Sequence, residues 1–364
     1  VREIHRPQDM DHFAAARKRI VFDGFFRFLY DVRRMKETVR NEKSDFVFDA
    51  KAAMTAFSAG LPFTLTDAQK KVCLEISKDF MSGSVMNRLV QGDVGSGKTA
   101  VAAAALFSVW RAGFQGALMA PTEVLARQHF RTLSELFGAS EDGPRIGILT
   151  GSTKAKERRE LLEGLAKGEV DVLIGTHALL EERVVFSALA LVVTDEQHRF
   201  GVQQRKTLSE KGKQPHVLVM SATPIPRTLA VILYGDLDIS VIDARPTGRT
   251  PIKNAVIEKQ DRPKALLHIK REVESGHQAY IVCPQVEANP LTALENVEDY
   301  SAALRASFRG EITVEALHGR MKEAEKQRIM ERFLAGEISV LVATTVIEVG
   351  VDVPNTTVMM IENA

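Results

Sequence analysis

Between residues 60 and 240 the chain alternates short apolar runs with longer amphipathic stretches. Apolar runs of strand length, separated by helical periodicity, are typical of parallel strands joined by helices, because such strands are buried on both faces. Strands are predicted at Gly116–Met119, Arg145–Leu149, Val170–Ile174, Leu189–Thr194 and Val217–Met220. Helices are predicted after Thr99, Glu123, Ser152, Arg199 and Pro226. The pattern therefore predicts an α/β fold with a doubly covered parallel sheet.

A second region with the same pattern follows a turn-rich stretch. Residues 243–249 include Pro246 and Gly248 among polar residues, which is typical of a linker. Beyond them, with helices between, strands are predicted at Gln278–Cys283, Ile312–Leu317, Ser339–Ala343 and Thr357–Ile361. We therefore expect two α/β modules in tandem, the first over residues 56–243 and the second, incomplete, over residues 244–364.

Residues 1–55 are predicted to form a basic helical linker, because apolar residues recur there at helical spacing among cations. The apolar set includes Phe22, Phe25, Phe26, Leu29 and Val32, and the cations include Arg17, Lys18, Arg19, Arg33, Arg34 and Lys36. Such a stripe usually packs against another surface, so we expect the linker to dock an upstream part onto the body. Direct contact of its arginines with nucleic acid is the alternative.

The run from Gln91 to Thr99 fits the phosphate-binding pattern G-x-x-x-x-G-K-[ST] without a mismatch. An apolar run precedes it and an alanine-rich stretch follows, so the glycines lie where a strand turns into a helix. Glycine lets successive backbone N–H groups face phosphate oxygens. Lys98 would contact the β and γ phosphates, and the Thr99 hydroxyl would bind Mg²⁺. A glycine-rich turn that carries Lys-Thr by chance is the alternative. The predicted phosphate loop comprises Gly92, Asp93, Val94, Gly95, Ser96, Gly97, Lys98 and Thr99.

Two adjacent carboxylates follow the predicted strand Leu189–Thr194. Beside a phosphate loop, Asp195 would hold Mg²⁺ while Glu196 orients and deprotonates the attacking water, as ATP hydrolysis requires. The alternative is that both residues only begin a solvated loop. Because the phosphate loop is present, the metal and base site is favoured. We therefore assign catalysis to Lys98, Asp195 and Glu196.

Composition limits the class of protein. With 364 residues and 45% hydrophobic content, the chain is long enough for two or three domains. Its apolar stretches are too short to span a bilayer and no signal segment opens it, so we expect no membrane association. Cys73 and Cys283 have no ligand pattern around them, which predicts a reducing cytoplasm and no structural zinc. The net charge of +1 leaves the partner open.

The order of further short motifs resembles that of superfamily two helicases. These motifs are Phe63–Gln69, Ala120–Glu123, Leu149–Ser152, Gly175–Leu179, Ser221–Thr223, Tyr280–Gln285, Leu317–Gly319 and Ala343–Pro354. Three longer motifs, Gly92–Thr99, Asp195–Val202 and Ser221–Ala230, are similar to those of the RecG family. That family comprises bacterial ATP-dependent DNA helicases that remodel replication forks and Holliday junctions. The resemblance covers residues 60–364.

The resemblance implies two RecA-like modules, with ATP between them and its hydrolysis driving their movement along DNA. Further nucleotide contacts would come from Gln69, which reads the adenine edge, and from Gly350 and Asp352. Contacts to a DNA strand would come from Thr122, Thr150, Gly151, Thr176, His177, His318 and Thr344. Coupling of hydrolysis to DNA movement would involve His198, Ser221 and Thr223. The threonines are small donors at strand ends that suit phosphate contacts without sequence information, although turn and cap roles are the alternative.

The cofactors implied by the resemblance are ATP and Mg²⁺. The implied partner is branched or forked DNA, bound by a monomer, and single-strand DNA-binding protein is the candidate protein partner. The family's wedge domain would precede Val1, and its arginine-finger motif would follow Ala364. We therefore expect the chain to be part of a longer polypeptide and to hydrolyse ATP poorly by itself.

Two other functions compete with this interpretation. A transcription-repair coupling factor has a similar translocase motor, but Gln197 favours the RecG family because the other family more often has Glu there. A silent nucleotide-binding scaffold is the alternative from another class. Intact Lys98, Thr99, Asp195 and Glu196 argue against a scaffold.

Overall fold

The computed structural model contains two compact units, Val1–Gly248 and Arg249–Ala364. It describes residues 2–40, 43–138, 143–195, 202–222, 237–244, 252–287, 294–308, 310–344 and 353–363. Some predictions lie outside these ranges: the site residues Glu196, His198, Thr223, Gly350 and Asp352, and the helix after Pro226.

The first unit has a parallel sheet with helices packed on it. Its strands are β1 (Asn87–Gly92), β2 (Gln115–Met119), β3 (Ile146–Leu149), β4 (Val172–Gly175), β5 (Leu189–Thr194), β6 (His216–Ser221) and β7 (Asp238–Ile242). Its helices are α1 (Arg2–His5), α2 (Met10–Arg40), α3 (Lys51–Gly60), α4 (Asp67–Met81), α5 (Lys98–Arg111), α6 (Glu123–Phe137), α7 (Ala155–Ala166) and α8 (Val202–Ser209). The strand order is β3-β4-β2-β5-β6-β1-β7, and all neighbours are parallel.

This strand order places the predicted chemistry at one edge of the sheet. β1 leads into the phosphate loop and β5 leads into Asp195, and β6 lies between these two strands. The carboxyl ends of parallel strands meet at the same edge, where ligands bind in open α/β sheets. β5 is buried along its whole length and spans the predicted residues. The strands predicted nearest to β2, β3, β4 and β6 differ from them by one or two residues at their ends.

Helix α2 confirms the helical character predicted for the start of the chain. Its aromatic residues Phe22, Phe25 and Phe26 are at least half exposed, and the rings of Phe22 and Phe26 stack at 6.1 Å. Among the described helices, none is long and apolar enough to cross a membrane.

A buried histidine attaches the segment before α3 to the sheet. The ring of His216, at the start of β6, has no solvent exposure. Its Nδ1 accepts a hydrogen bond from the Met86 backbone N–H at 2.9 Å, and its Nε2 lies 2.8 Å from the Phe46 carbonyl oxygen, to which it donates. One ring nitrogen therefore accepts while the other donates, as only the neutral imidazole can. Burial accordingly lowers the pKa of His216 below its ordinary value.

We expect His216 to make the stability of this unit depend on pH. Because the pKa of His216 is lowered in the folded state, the unfolded chain takes up a proton at higher pH than the folded chain does. The contribution of His216 to the free energy of unfolding is therefore complete above the unfolded pKa of about 6.5 and is lost as pH falls below that value. The free energy of unfolding should decrease by up to about 1.4 kcal/mol per pH unit below that value. Urea unfolding at pH 7.5 and 5.5 measures the loss. A His216→Gln variant should be less stable at pH 7.5 but show a smaller decrease on acidification; an equal decrease would assign the pH dependence elsewhere.

The second unit repeats part of the first. Its helices are α9 (Arg262–Glu274), α10 (Val297–Ser307) and α11 (Glu323–Leu334), and its strands are β8 (Gln278–Val282), β9 (Val314–Leu317), β10 (Val340–Ala343) and β11 (Thr356–Ile361). The sheet order is β9-β10-β8-β11, all parallel. It matches the order β3-β4-β2-β5 of the first unit, strand for strand along the chain. The predicted fold class of two tandem parallel-sheet modules is confirmed.

Two glutamines show how closely the units correspond. Gln115 begins β2, and its side-chain amide donates to the carbonyl oxygens of Leu165 and Val170 at 2.9 and 2.7 Å. Gln278 begins β8, and its amide donates to the equivalent carbonyl oxygens at 2.6 and 2.7 Å, those of Phe333 and Ile338. Each glutamine thereby fixes the chain between a helix and the next strand in the same way. Residues at matching strand ends in the two units are therefore comparable.

Candidate nucleotide and DNA site

The phosphate loop curls between β1 and α5 as the glycine pattern predicts. Gly95 and Gly97 have φ angles of 72° and 83°, in the left-handed region that favours glycine. The Lys98 ammonium lies over the loop and donates to the carbonyl oxygens of Gly92 at 2.8 Å and Asp93 at 3.1 Å. A helix N-terminus and a lysine thus meet at one loop, which is the arrangement that stabilises phosphate groups.

Gln69, on helix α4, is hydrogen-bonded to the phosphate loop. Its Oε1 accepts a hydrogen bond from the Thr66 backbone N–H at 2.7 Å, within the capping box that begins the helix. Its Nε2 donates to the Ser96 carbonyl oxygen at 2.8 Å, and the side chain is buried. The structure therefore places the predicted adenine-reading residue directly against the phosphate loop. A Cβ on Gly97 would clash with the Gln69 Nε2 atom.

We expect Gly97→Ala to disrupt nucleotide binding. The left-handed φ alone costs an L-residue roughly 1–2 kcal/mol, and the new methyl group would displace Gln69 from the loop. Affinity for ATP should fall at least about tenfold, which corresponds to about 1.4 kcal/mol. Gly113→Ala is the matched control, because Gly113 has the same φ of 83° just beyond α5 but a Cβ added there would meet no atom of the described residues within 4 Å. Equilibrium titration with a fluorescent ATP analogue measures both variants; equal affinities would show that the Gln69 contact is unimportant.

Asp195 is held by a residue that the sequence pattern did not single out. Its backbone N–H donates to the Met119 carbonyl oxygen at 3.0 Å, which continues the β5–β2 pairing. Its Oδ2 lies 2.6 Å from the His129 Nε2 atom, and both side chains are buried. His129 lies on the face of α6 that carries Leu125 and Leu133. Its position on that face predicts only burial, so no sequence signal indicated its contact with a carboxylate.

The structure brings the predicted strand-contacting residues of the first unit together. Thr122, Thr150 and Thr176 follow β2, β3 and β4, which are neighbours in the sheet. Thr122 caps α6 and accepts a hydrogen bond from the Leu125 backbone N–H at 3.4 Å, while Thr150 and Thr176 are buried. Gly151 and His177, beside them, are exposed. Helix capping by Thr122 and burial of Thr150 and Thr176 agree equally with turn and cap roles, so the DNA-contacting roles of these three threonines stay predictions.

A cluster of charged and polar side chains connects the start of α6 with the loop after β3. The Arg127 guanidinium lies 2.7 Å from the Glu123 Oε1 and donates to the Ser152 hydroxyl at 3.0 Å, and Ser152 in turn donates to Glu123. Burial raises the pKa of Glu123, but hydrogen bonds from Ser152, Arg127 and Thr150 outweigh it and leave that pKa lowered. Glu123 is therefore ionised near neutral pH and positions Arg127 beside the loops. The Arg127 side chain is 49% exposed, so it presents a cation there. Arg127 is not among the site residues that the sequence predicts.

In the second unit, His318 and Thr344 follow β9 and β10, whose end residues Leu317 and Ala343 are register partners. Both contain a buried polar atom that has no hydrogen-bond partner among the described residues, the His318 Nδ1 and the Thr344 Oγ1. Strand by strand, His318 corresponds to Thr150 and Thr344 to Thr176 in the first unit.

Ser221 ends β6 and pairs in register with Gln91 on β1, directly before the phosphate loop. It is buried, so its backbone is fixed beside that loop. The other two predicted coupling residues, His198 and Thr223, are outside the described ranges, as are Glu196, Gly350 and Asp352.

Comparison with protein families defines the class of protein. A DEAD/DEAH box helicase region matches residues 66–232, and a helicase conserved C-terminal domain matches residues 259–364. The chain thus carries, in order, the two parts of a helicase core, one in each unit.

Individual relatives indicate a more specific group within the helicases. The chain is 47% identical over its full length to the ATP-dependent DNA helicase RecG of Streptococcus pneumoniae and 45% identical to that of Bacillus subtilis, covering 54% and 53% of them. A solved structure of RecG bound to a three-way DNA junction has a TM-score of 0.79 and 38% identity, covering 97% of this chain and 46% of that one. The chain is therefore similar to the RecG helicases along its whole length, and it spans about half the length of the curated relatives it matches.

A more distant likeness shows the fold alone. The S. cerevisiae protein Dbp5, bound to RNA and ADP BeF3, matches at 16% identity with a TM-score of 0.56, over 84% of this chain and 77% of that one. The two-unit architecture is thus shared with proteins that differ widely in sequence.

Proposed function

We propose that this chain is the motor part of an ATP-dependent DNA helicase that remodels branched DNA, such as stalled forks and Holliday junctions, in recombination and repair. The observation that carries the proposal is the repeated strand order. It sets Thr150 and His318, and likewise Thr176 and Thr344, at equivalent strand ends in the two units. A motor that follows one strand needs a set of phosphate contacts in each of its moving parts.

ATP would bind at the phosphate loop of the first unit. Backbone N–H groups of the loop and the start of α5 would face the phosphate oxygens, and Lys98 would exchange its loop carbonyl partners for them. Gln69 already holds the loop in shape, so adenine recognition by the same side chain would connect base binding to the phosphate site. Glu196 would act as the base toward water.

The donor set fits Mg²⁺. Thr99 offers a hydroxyl oxygen in the first turn of α5 and Asp195 a carboxylate directly after β5. Within the described ranges, His, Cys, Asp and Glu residues form no cluster of three or more that would hold a metal by themselves. Mg²⁺ is commonly held by one or two protein oxygens together with substrate phosphates and water, so this small set is sufficient. When bound, the ion would neutralise charge on the phosphates.

DNA would be held by its backbone in both units. The threonines would donate hydrogen bonds to phosphate oxygens, and Arg127 would add positive charge at the loops of the first unit. Such contacts are independent of sequence and weaken as salt rises. The relative solved on a three-way junction supports branched DNA as the substrate class. A monomer in the cytoplasm, assisted by single-strand DNA-binding protein, is the simplest setting for this activity.

Steady-state ATPase assays on the full-length protein test the proposal. We expect Mg²⁺-dependent ATP hydrolysis that is stimulated more by three-way and four-way junctions than by linear duplex, and less at higher salt. Nucleotide binding without hydrolysis on any DNA would instead support a silent scaffold. Stimulation by linear duplex equal to that by junctions would favour a duplex translocase of the transcription-repair coupling kind.

A further inference from the structure

The contact between His129 and Asp195 is a buried pair next to the predicted metal position. The His129 Nε2 atom lies 2.6 Å from the Asp195 Oδ2 atom, and the two side chains are 6% and 12% exposed. The residues are 66 positions apart, so the pair joins helix α6 to the end of strand β5. It is a tertiary contact and does not arise from local chain geometry.

The pair has a physical reason beyond packing. A buried carboxylate needs hydrogen-bond donors, because removing an ionised group from water is costly without them. The His129 N–H donates to one oxygen and thereby limits rotation of the carboxylate about its last side-chain bond. The same arrangement is common around metal ligands, where an outer partner fixes the ligand's orientation.

Helix α6 adds rigidity to this arrangement. Its first residue follows the N-cap Thr122, a predicted strand contact, and His129 lies on its buried face with Leu125 and Leu133. The helix packs against β3 and β4, so the backbone that carries His129 is held against the sheet. The Asp195 carboxylate is therefore in contact with the same helix that begins after Thr122.

We propose that His129 is a positioning residue that orients the Asp195 carboxylate toward Mg²⁺ in the nucleotide complex. This inference rests on the proposed function, since it takes Asp195 as the residue that holds the ion. His129 itself touches neither ATP nor the metal. Its contribution is to keep one oxygen of Asp195 bonded so that the carboxylate does not rotate away from the ion.

Binding of Mn²⁺ as a probe for Mg²⁺, measured by electron paramagnetic resonance, tests this in the full-length protein with a non-hydrolysable ATP analogue. His129→Phe keeps a ring of similar shape but has no donor, and should weaken Mn²⁺ binding by about 10- to 100-fold, as loss of an outer partner typically does. ATP hydrolysis at limiting Mg²⁺ should fall in parallel. His129→Gln retains an N–H near the position of Nε2 and should recover most of the loss.

Leu133→Ala is the matched control, because Leu133 lies one turn further along the same buried face. This variant should lower the midpoint of thermal unfolding but leave Mn²⁺ affinity unchanged. Unchanged Mn²⁺ affinity in His129→Phe would overturn the proposal. So would equal weakening in His129→Gln or Leu133→Ala, since the effect would then be general loosening of the fold. If the unaltered protein binds Mn²⁺ and nucleotide but never hydrolyses ATP, the proposed function fails instead.

Discussion

Lys98→Ala in the full-length protein is expected to remove nearly all ATP turnover, with a decrease of about 10²–10³-fold, while leaving the fold intact. The Lys98 ammonium donates to the loop carbonyl oxygens of Gly92 and Asp93 and is part-exposed, so it is not a core contact. Its charge would act on the β and γ phosphates, where negative charge must be stabilised during transfer to water. Removing one such preorganised group typically lowers a catalytic rate by about 10²–10³-fold.

Steady-state hydrolysis with junction DNA measures this effect, and circular dichroism with thermal unfolding checks the fold. Lys70→Ala provides the control, since Lys70 is an exposed lysine on α4 whose partner is Asp67. It should hydrolyse ATP at the parent rate. Equal turnover by Lys98→Ala and the parent would remove the phosphate loop from the mechanism.

Glu196→Gln is expected to separate ATP binding from hydrolysis. Glutamine can still align water through its amide but cannot take up the proton, so hydrolysis should slow by at least about 10²-fold, the lower end of what a general base contributes. Affinity for ATP should stay close to that of the parent, because the phosphate loop and Asp195 are unchanged.

Single-turnover hydrolysis and nucleotide titration distinguish these two steps. Glu182→Gln, an exposed glutamate in the same unit, should change neither quantity. If Glu196→Gln still hydrolyses ATP but no longer binds it tightly, Glu196 belongs to the nucleotide-binding surface and the base must be sought elsewhere.

The sequence pattern was sufficient to predict a structural element where the local pattern of apolar residues coincides with burial. β5 is an almost wholly apolar run that is buried along its length, so the run itself marked its bounds. The phosphate loop was also found, because the left-handed φ angles of Gly95 and Gly97 restrict the residue type strongly. β7, by contrast, is an edge strand with mixed burial, and its alternation from Asp238 to Ile242 was too weak a signal for a strand prediction.

The partners of the site could not be predicted because they depend on tertiary contacts. His129 and Asp195 are 66 residues apart, and Arg127 reaches Ser152 only because α6 begins beside the loop after β3. The correspondence of Thr150 with His318 likewise required the strand order, since the flanking residues that the two motifs share, Leu149 and Gly151 with Leu317 and Gly319, are too few to indicate it. Sequence motifs thus located the ends of the strands, whereas the structure showed which of those ends lie together.

The most direct test of the central claim is ATP-dependent strand displacement from a labelled three-way junction by the full-length protein. With Mg²⁺ and ATP we expect displaced strand to accumulate, with no displacement when ATP is replaced by a non-hydrolysable analogue or Lys98 by alanine. Linear duplex of the same length should be displaced much more slowly. Failure to displace any strand from the junction under conditions in which the same sample hydrolyses ATP would contradict assignment as a helicase that remodels branched DNA.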